Sequence, residues 1–330
     1  MRNNMFPPEP GKKNDSLRIV INGGMGDHLL MTPFIKHFKK SGLYKHICCV
    51  VHQNSLELFD RSPYIDSLIP CPGNDLFLWG LPEKDFDVFT PYVDVEDIED
   101  IHDIRTGIKS AHIFSFNLKN TPVIRQICEY YGIRLEDESL EVYTAREDEA
   151  WADGFLAEWP GKKFVYFNTS SVLENKNYPL SLWQEVVDLL IKEASDEIII
   201  LEFAREKVKL SGTIPLPFVP GLRRAAALFK RMSCIVTVDS FPGHLAAAVK
   251  TPAVVLFGPS NPQAFGHKSN INIRTSQCPA CANTSRIKEC KTSTCLEDIT
   301  PSLIVEKILS KVASGHPAAQ GPSKVTRAPY

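Results

Sequence analysis

Short apolar runs alternate along this chain with stretches in which apolar residues recur at helical spacing. Leu17–Ile21 has the pattern of a buried strand. His28–Lys40 follows as a helix with Leu29, Leu30, Phe34, Ile35 and Phe38 on its apolar face. Ile47–Val51 predicts the next strand, Ser55–Arg61 a short helix, Ile65–Pro70 a third strand and Phe86–Phe89 a fourth. Ala111–Phe116 adds an apolar segment beside the same sheet, and Thr121–Tyr131 is helical. Glu141–Pro160 reads as a connection followed by a helix around Trp151.

The second half restarts the alternation. Phe164–Phe167 is a strand, Leu180–Ala194 an amphipathic helix and Glu197–Leu201 a strand. Arg223–Lys230 is a helix, Ile235–Val238 a strand, His244–Val249 a helix, Ala253–Phe257 a strand and Pro301–Val312 a closing helix. Strands that alternate with helices predict parallel sheets. The expectation is an α/β chain of two domains facing across a cleft. Residues 1–16 form a polar, Pro-rich disordered lead, 17–150 the first domain, 151–313 the second and 314–330 a disordered tail.

Composition narrows the class. The chain has 330 residues, long enough for two domains, and 43% of them are hydrophobic, enough for two cores. A net charge of −2 gives no general affinity for nucleic acid. No run of 18 apolar residues exists, so no transmembrane segment is expected. The opening Met1–Pro8 lacks the apolar core of a signal peptide, and a cytoplasmic location is expected. In that compartment the nine cysteines read as free thiols or metal ligands rather than disulfides.

Two glycine-containing turns carry the candidate chemistry, because each follows a strand and opens a helix, where α/β sheets bind anions. The first is Asn22-Gly23-Gly24-Met25-Gly26-Asp27-His28. Its glycines permit close backbone approach to a ligand. Asp27 reads either as a helix cap, which spacing alone favours, or as a general base. The glycine spacing does not fit a dinucleotide fingerprint. The second turn is Asp239-Ser240-Phe241-Pro242-Gly243-His244. Open amides there, with Ser240 and Gly243, suit a phosphate or diphosphate; the plain alternative is a tight turn with a capping aspartate. The loop Phe257-Gly258-Pro259-Ser260-Asn261-Pro262 ends the next strand and lines the same place. Ser171 and Lys176 follow the Phe164–Phe167 strand; the serine suits a phosphate oxygen and the lysine a departing diphosphate, against a plain reading as solvated loop residues.

Taken in order, these pieces resemble the family-9 glycosyltransferases, the group that includes ADP-heptose-dependent heptosyltransferases. The resemblance runs from about residue 17 to about residue 312. It rests on Gly26-Asp27 followed by Thr32-Pro33, on Lys176-Asn177-Tyr178-Pro179, on Asp239–Ala246, and on Pro252–Pro262. Phe241 departs from the pattern, standing where the family usually has glycine. The resemblance assigns the family's acidic ribose contact to Glu206.

That resemblance implies a GT-B fold of two Rossmann-like domains, acceptor on the first and nucleotide sugar on the second. It implies inverting transfer of a sugar, heptose from ADP-heptose, to a hydroxyl of a glycan or protein. Asp27 would act as base, with Gly24, Gly26 and His28 forming the acceptor-side turn. Lys176, Ser171, Glu206, Asp239, Ser240, Gly243, His244, Gly258 and Pro259 would hold the donor. Transfer itself would need no metal, since amides and a lysine supply the positive field. The alternatives are another nucleotide sugar on the same fold, or a non-catalytic nucleotide-sugar-binding protein.

Two features stand apart. Cys278-x2-Cys281-x8-Cys290-x4-Cys295 gathers four cysteines in 18 residues. Four thiolates suit a structural zinc or iron ion, and a reduced metal-free cluster is the alternative. Comparable cysteine-rich segments occur in the family, and the resemblance to its autotransporter-modifying branch points to iron. Secondly, Glu83–Asp103 holds nine Asp or Glu and one Lys. It reads first as a solvated loop; in an acceptor domain it favours a neutral or basic acceptor over an anionic lipid core.

Overall fold

Each described strand runs parallel to its neighbours, in two separate sheets. The computed structural model describes residues 15–21, 23–72, 86–89, 119–194, 197–203, 210–216, 221–276, 278–282 and 294–314. All but the last two residues of the expected lead, all but the first of the tail, the Ala111–Phe116 segment, most of the acidic stretch, Glu206 and Cys290 lie outside the described residues; Ser16, placed in the lead by the sequence, opens the first strand.

The chain divides into two compact units. The first takes Met1–Tyr143 with Pro259–Gly266 and Pro279–Lys291. Its elements are β1 (Ser16–Val20), α1 (Met25–Leu30), α2 (Thr32–Lys40), β2 (His46–His52), a 3₁₀ turn at Gln53–Leu58, β3 (Ser67–Cys71), β4 (Phe86–Phe89) and α3 (Val123–Tyr131). The strand order is β3-β2-β1-β4. β1 and β2 are buried nearly throughout because a parallel sheet is covered on both faces. Phe89 on β4 meets Phe34 and Phe38 of α2 and Tyr131 of α3, with ring centroids 5.6, 5.1 and 4.8 Å apart.

The single helix expected over His28–Lys40 is two helices. Pro33 has no N–H to offer the Leu29 carbonyl, and its ring crowds that carbonyl. The chain turns at Met31, and the Thr32 hydroxyl donates to the Leu29 carbonyl instead, at 2.7 Å. The same hydroxyl accepts the Glu141 N–H at 3.1 Å. Thr32-Pro33 is thus a built break, tied to a distant segment of its own unit.

The second unit takes Thr144–Gly258, His267–Cys278 and Thr292–Tyr330. It begins with α4 (Arg146–Leu156), β5 (Lys163–Asn168), a 3₁₀ turn at Glu174–Lys176, α5 (Leu180–Ala194), β6 (Ile198–Phe203) and β7 (Ile214–Pro215). Then come α6 (Leu222–Phe229), β8 (Cys234–Val238), α7 (Phe241–Ala248) and β9 (Ala253–Leu256). After α8 (Pro262–Phe265), in the stretch allotted to the first unit, follow β10 (Ile271–Ile273), α9 (Thr294–Glu297) and α10 (Pro301–Ala313). The division falls at 143/144 rather than the expected 150/151, because α4 is bound to α6. Asp148 accepts from Arg223 at 3.1 Å, Glu149 from Lys230 at 2.8 Å and Asp153 from Arg231 at 2.9 Å.

The second core is built from Trp183, Val186, Val187 and Leu190 of α5 and Ile304, Val305 and Ile308 of α10, packed on Val165, Phe167, Val236, Val254 and Leu256 of the sheet. Each such side chain contributes about 1.5–3 kcal/mol by leaving water. The strand order is β10-β9-β8-β5-β6-β7. Read from the β7 edge, the order runs inward to β5, the unit's first strand, then resumes with β8. The reversal point is therefore between β5 and β8, where ligands bind on doubly wound sheets. In the first unit the corresponding point is between β1 and β4. Among the described residues, no helix is long and apolar enough to cross a membrane.

Candidate functional site

At the first unit's reversal point, β1 runs into Gly23, whose φ of 96° is a left-handed value that favours glycine. A Cβ there would lie 2.6 Å from Asp27 Oδ2. Asp27 is not the cap residue itself. It sits in the first turn of α1 and reaches back, so that Gly24 N–H donates to Oδ2 at 2.8 Å. The capping role favoured by spacing is therefore present, in a half-exposed carboxylate.

His28 is fully buried one residue further. The His52 N–H donates to its Nε2 at 3.4 Å, so the ring proton is on Nδ1 and donates to the Gly24 carbonyl at 2.9 Å. Burial pulls its pKa down to about 4, partly opposed by the Gly24 hydrogen bond, and the ring is neutral at pH 7. His28 fastens the glycine turn to the end of β2. It supports the turn from behind, while Gly24 and Gly26 form its outer course.

At the second unit's reversal point the chemistry is carried by side chains. Lys176, ending the 3₁₀ turn after β5, pairs with Asp239, which follows β8, at 2.6 Å. Asp239 is almost fully buried. Ser240 precedes α7 without capping it. Its hydroxyl instead donates back to the Val238 carbonyl at 3.1 Å and lies 3.1 Å from the Thr237 hydroxyl. Asn168 at the end of β5 donates to Thr237 Oγ1 at 3.2 Å and to the Ser170 carbonyl at 2.8 Å. At the start of α7, Pro242 has no N–H to offer and the Gly243 N–H donates to the Ser240 carbonyl at 3.0 Å. The Ser240 hydroxyl and the Gly243 N–H, both expected to face an anion, are engaged with backbone carbonyls.

His244, on α7, is buried and meets His267, with Nδ1 2.8 Å from Nε2 of the partner ring. Burial lowers both, His244 to about 4 and His267 to about 3. Asp239 opposes the shift at both rings, and Lys176 adds to it at His244. Ser171 shapes its own loop, its N–H donating to Asn177 Oδ1 at 2.6 Å and its Oγ accepting from Leu173 N–H at 3.3 Å. Tyr178 anchors that loop through its hydroxyl to the Ile299 carbonyl at 2.6 Å and an edge contact on Trp183.

Three residues assigned to the donor by the resemblance have structural work as well. A Cβ on Gly258 would lie 2.7 Å from Leu296 Cγ and 3.1 Å from Cys295 Sγ, so this glycine admits α9 against the end of β9. The Pro259 carbonyl accepts the N–H groups of Cys281 and Ala282 at 2.8 and 2.9 Å. Gly243 likewise admits α7 onto the sheet, since a Cβ there would lie 3.3 Å from Val255 Cγ2. Of the cysteine set, Cys278 is exposed, Cys281 half-buried and Cys295 buried. Among the described residues, no three His, Cys, Asp or Glu side chains form a metal-holding group. Cys290 lies outside those residues, so the full set is not represented there.

Sequence reasoning missed His267, Asn168 and Asn270, whose amide donates to the Gly243 carbonyl at 3.1 Å. His267 carries no motif; it reaches His244 only through the turn into β10. Asn168 had a weak signal, a polar residue closing an apolar strand.

Comparison with known proteins adds to this geometry. The model of glycosyltransferase family 9 (heptosyltransferase) matches residues 120–297, more than half of the chain. A lipopolysaccharide heptosyltransferase 1 from Campylobacter coli is 34% identical over 125 residues, covering 34% of this chain and 36% of the relative. A lipooligosaccharide heptosyltransferase 2 from Haemophilus influenzae is 28% identical over 158 residues, covering 47% and 43%. The matched segments thus span less than half of these relatives. Among solved structures, a family-9 glycosyltransferase from Veillonella parvula superposes with a TM-score of 0.68 at 17% identity, over 91% of this chain and 97% of that one. The ADP-heptose heptosyltransferase II of E. coli gives 0.65 at 16% identity, over 91% and 98%. The iron-containing dodecameric glycosyltransferase TibC of E. coli gives 0.63 at 16% identity, over 91% and 78%. The fold is the GT-B class of two Rossmann-like domains that the sequence predicts.

Proposed function

As this chain belongs to glycosyltransferase family 9, we propose that it transfers a sugar from a nucleotide donor, ADP-heptose, to a hydroxyl of a glycan or protein acceptor, with inversion. Asp27 takes the proton from the acceptor hydroxyl. The acceptor oxygen forms a bond to the anomeric carbon as the bond from that carbon to the diphosphate oxygen breaks. The electron pair leaves with ADP. Lys176 turns from Asp239 toward the diphosphate, and His244 with the Phe241 amide completes the positive field. Glu206 is assigned to the ribose. A cytoplasmic site of action belongs to the same proposal.

The observation that carries this reading is the Lys176–Asp239 pair beside His244 at the second unit's reversal point. A buried aspartate holding a lysine beside a helix start is a cation site an anion can compete for. Thermal shift with ADP, UDP, GDP and their sugars tests it. ADP at a hundred times its dissociation constant should stabilise the fold by about 2.7 kcal/mol. No stabilisation by any nucleotide diphosphate, or a clear preference for UDP, overturns the donor assignment.

Cys278, Cys281, Cys290 and Cys295 are proposed to hold one structural iron or zinc ion. The thiolate set and the iron content of TibC support this. Elemental analysis of chelator-free protein should find about one equivalent, reduced sharply in Cys290→Ser. Metal-free parent protein overturns the assignment.

A further inference from the structure

The His244–His267 contact is built rather than incidental. The rings meet edge to face, with centroids 4.9 Å apart and an interplanar angle of 85°. The His267 backbone is fixed by its own turn, its carbonyl accepting Asn270 N–H at 3.1 Å and Asn272 Nδ2 at 3.0 Å. Asn270 in turn bonds the Gly243 carbonyl of α7, so the turn is tied to the helix that bears His244. The charged groups facing the pair are Asp239 and Lys176.

Two neutral imidazoles sharing one N···N contact hold a single proton between them. If it belonged to His244 Nδ1, the remaining His244 nitrogen would be a bare lone pair, which repels an anion. If it belongs to His267 Nε2, His244 keeps its proton on Nε2 and becomes a donor. The second arrangement is the one a diphosphate site requires.

We propose that His267 is a positioning residue for nucleotide binding: its Nε2–H donates to His244 Nδ1, holding His244 as the Nε2–H tautomer that donates to the diphosphate. The ligand half of this proposal rests on the donor-site reading above. The N···N contact itself admits either tautomer, and the choice between them follows from the same reading. His267 touches no substrate in this scheme and acts only through His244.

The test uses the full chain and two substitutions. His267→Phe keeps the ring volume and removes the donor. His267→Gln offers an amide N–H where the imidazole Nε2–H was. In ¹⁵N-histidine NMR of ligand-free protein at pH 7, His244 should be the Nε2–H tautomer in the parent and in His267→Gln, and a mixture in His267→Phe. Calorimetry with ADP should show affinity falling about tenfold in His267→Phe, as expected for one lost hydrogen bond at a buried site. His267→Gln should stay within about threefold. In a His244→Ala background, His267→Phe should add nothing. An Nδ1–H tautomer of His244 in the parent overturns the pairing. Equal loss from His267→Phe with and without His244 overturns the action through that residue. Failure of the parent to bind ADP, with the predicted tautomer present, overturns the donor-site reading and the ligand half together.

Discussion

The turns at the two reversal points occupy equivalent places in their sheets and are built in opposite ways. In the first, after β1, side chains grip the turn's own backbone: the Asp27 carboxylate accepts Gly24 N–H and the buried neutral His28 donates to the Gly24 carbonyl, beside a left-handed Gly23. In the second, after β8, side chains mostly hold one another: Lys176 on Asp239 and His244 on His267, with a serine aimed back at the sheet. Topology supplies the place in both. What differs is the sign presented, an acid in one unit and a contested cation in the other. The proposed reaction uses this division, with a proton removed at one turn and an anion received at the other.

The comparison can be broken most sharply at Asp27. Asp27→Asn should lower the transfer rate by about 10²–10⁴-fold and leave ADP affinity unchanged, read by steady-state kinetics and calorimetry. A fully active variant would reduce the first turn to a cap. Next in size is Lys176→Met, for which ADP affinity should fall on the order of a hundredfold as a charge-assisted contact is lost. The same change removes the Lys176 ammonium from the buried Asp239 carboxylate, and a cost of up to about 3 kcal/mol in stability should accompany it. Lys176→Met/Asp239→Asn should regain the stability and not the affinity.

Acid should separate the turns more gently. His28, His244 and His267 have pKa values lowered by burial, to about 4, 4 and 3. The unfolded chain therefore binds more protons below its ordinary histidine pKa near 6.5. Stability is full above that pH and declines as pH falls toward 4, by roughly 1.4 kcal/mol per imidazole per pH unit. Denaturant melts at pH 7 and 5 should show this slope, and His267→Phe should flatten it by about one imidazole's share. The smallest effect belongs to Gly23→Ala, for which the left-handed conformation costs about 1 kcal/mol. The clash with Asp27 Oδ2 displaces the carboxylate, so transfer should suffer more than the melting temperature does.

Much of this was legible in the sequence where apolar runs are long. β1, β2, β5, β8 and β9 stand within a residue or two of their expected spans, and α5 occupies Leu180–Ala194 as its periodicity predicts. β7 and β10 were not legible, because strands of two or three residues carry no period. α7 starts at Phe241, ahead of the expected His244, since Pro242 at the first turn is a start signal that the apolar pattern alone does not register. The motif residues Lys176, Asp239 and His244 could be named in sequence and are brought together by the fold. Their pairing could not be read, because the Lys176–Asp239 contact spans 63 residues and depends on β5 and β8 being neighbours. His267 was invisible for the same reason, and Gly243 and Gly258 concealed packing roles that only the crowding around them shows.

In the proposed reaction, proton removal and anion binding are divided between the two turns. Titration of ADP into Asp27→Asn and Lys176→Met, beside the parent protein, tests it most directly. Parental affinity is expected in Asp27→Asn, and a loss on the order of a hundredfold in Lys176→Met. Equal affinities in all three proteins, or a loss in Asp27→Asn as large as in Lys176→Met, would contradict it.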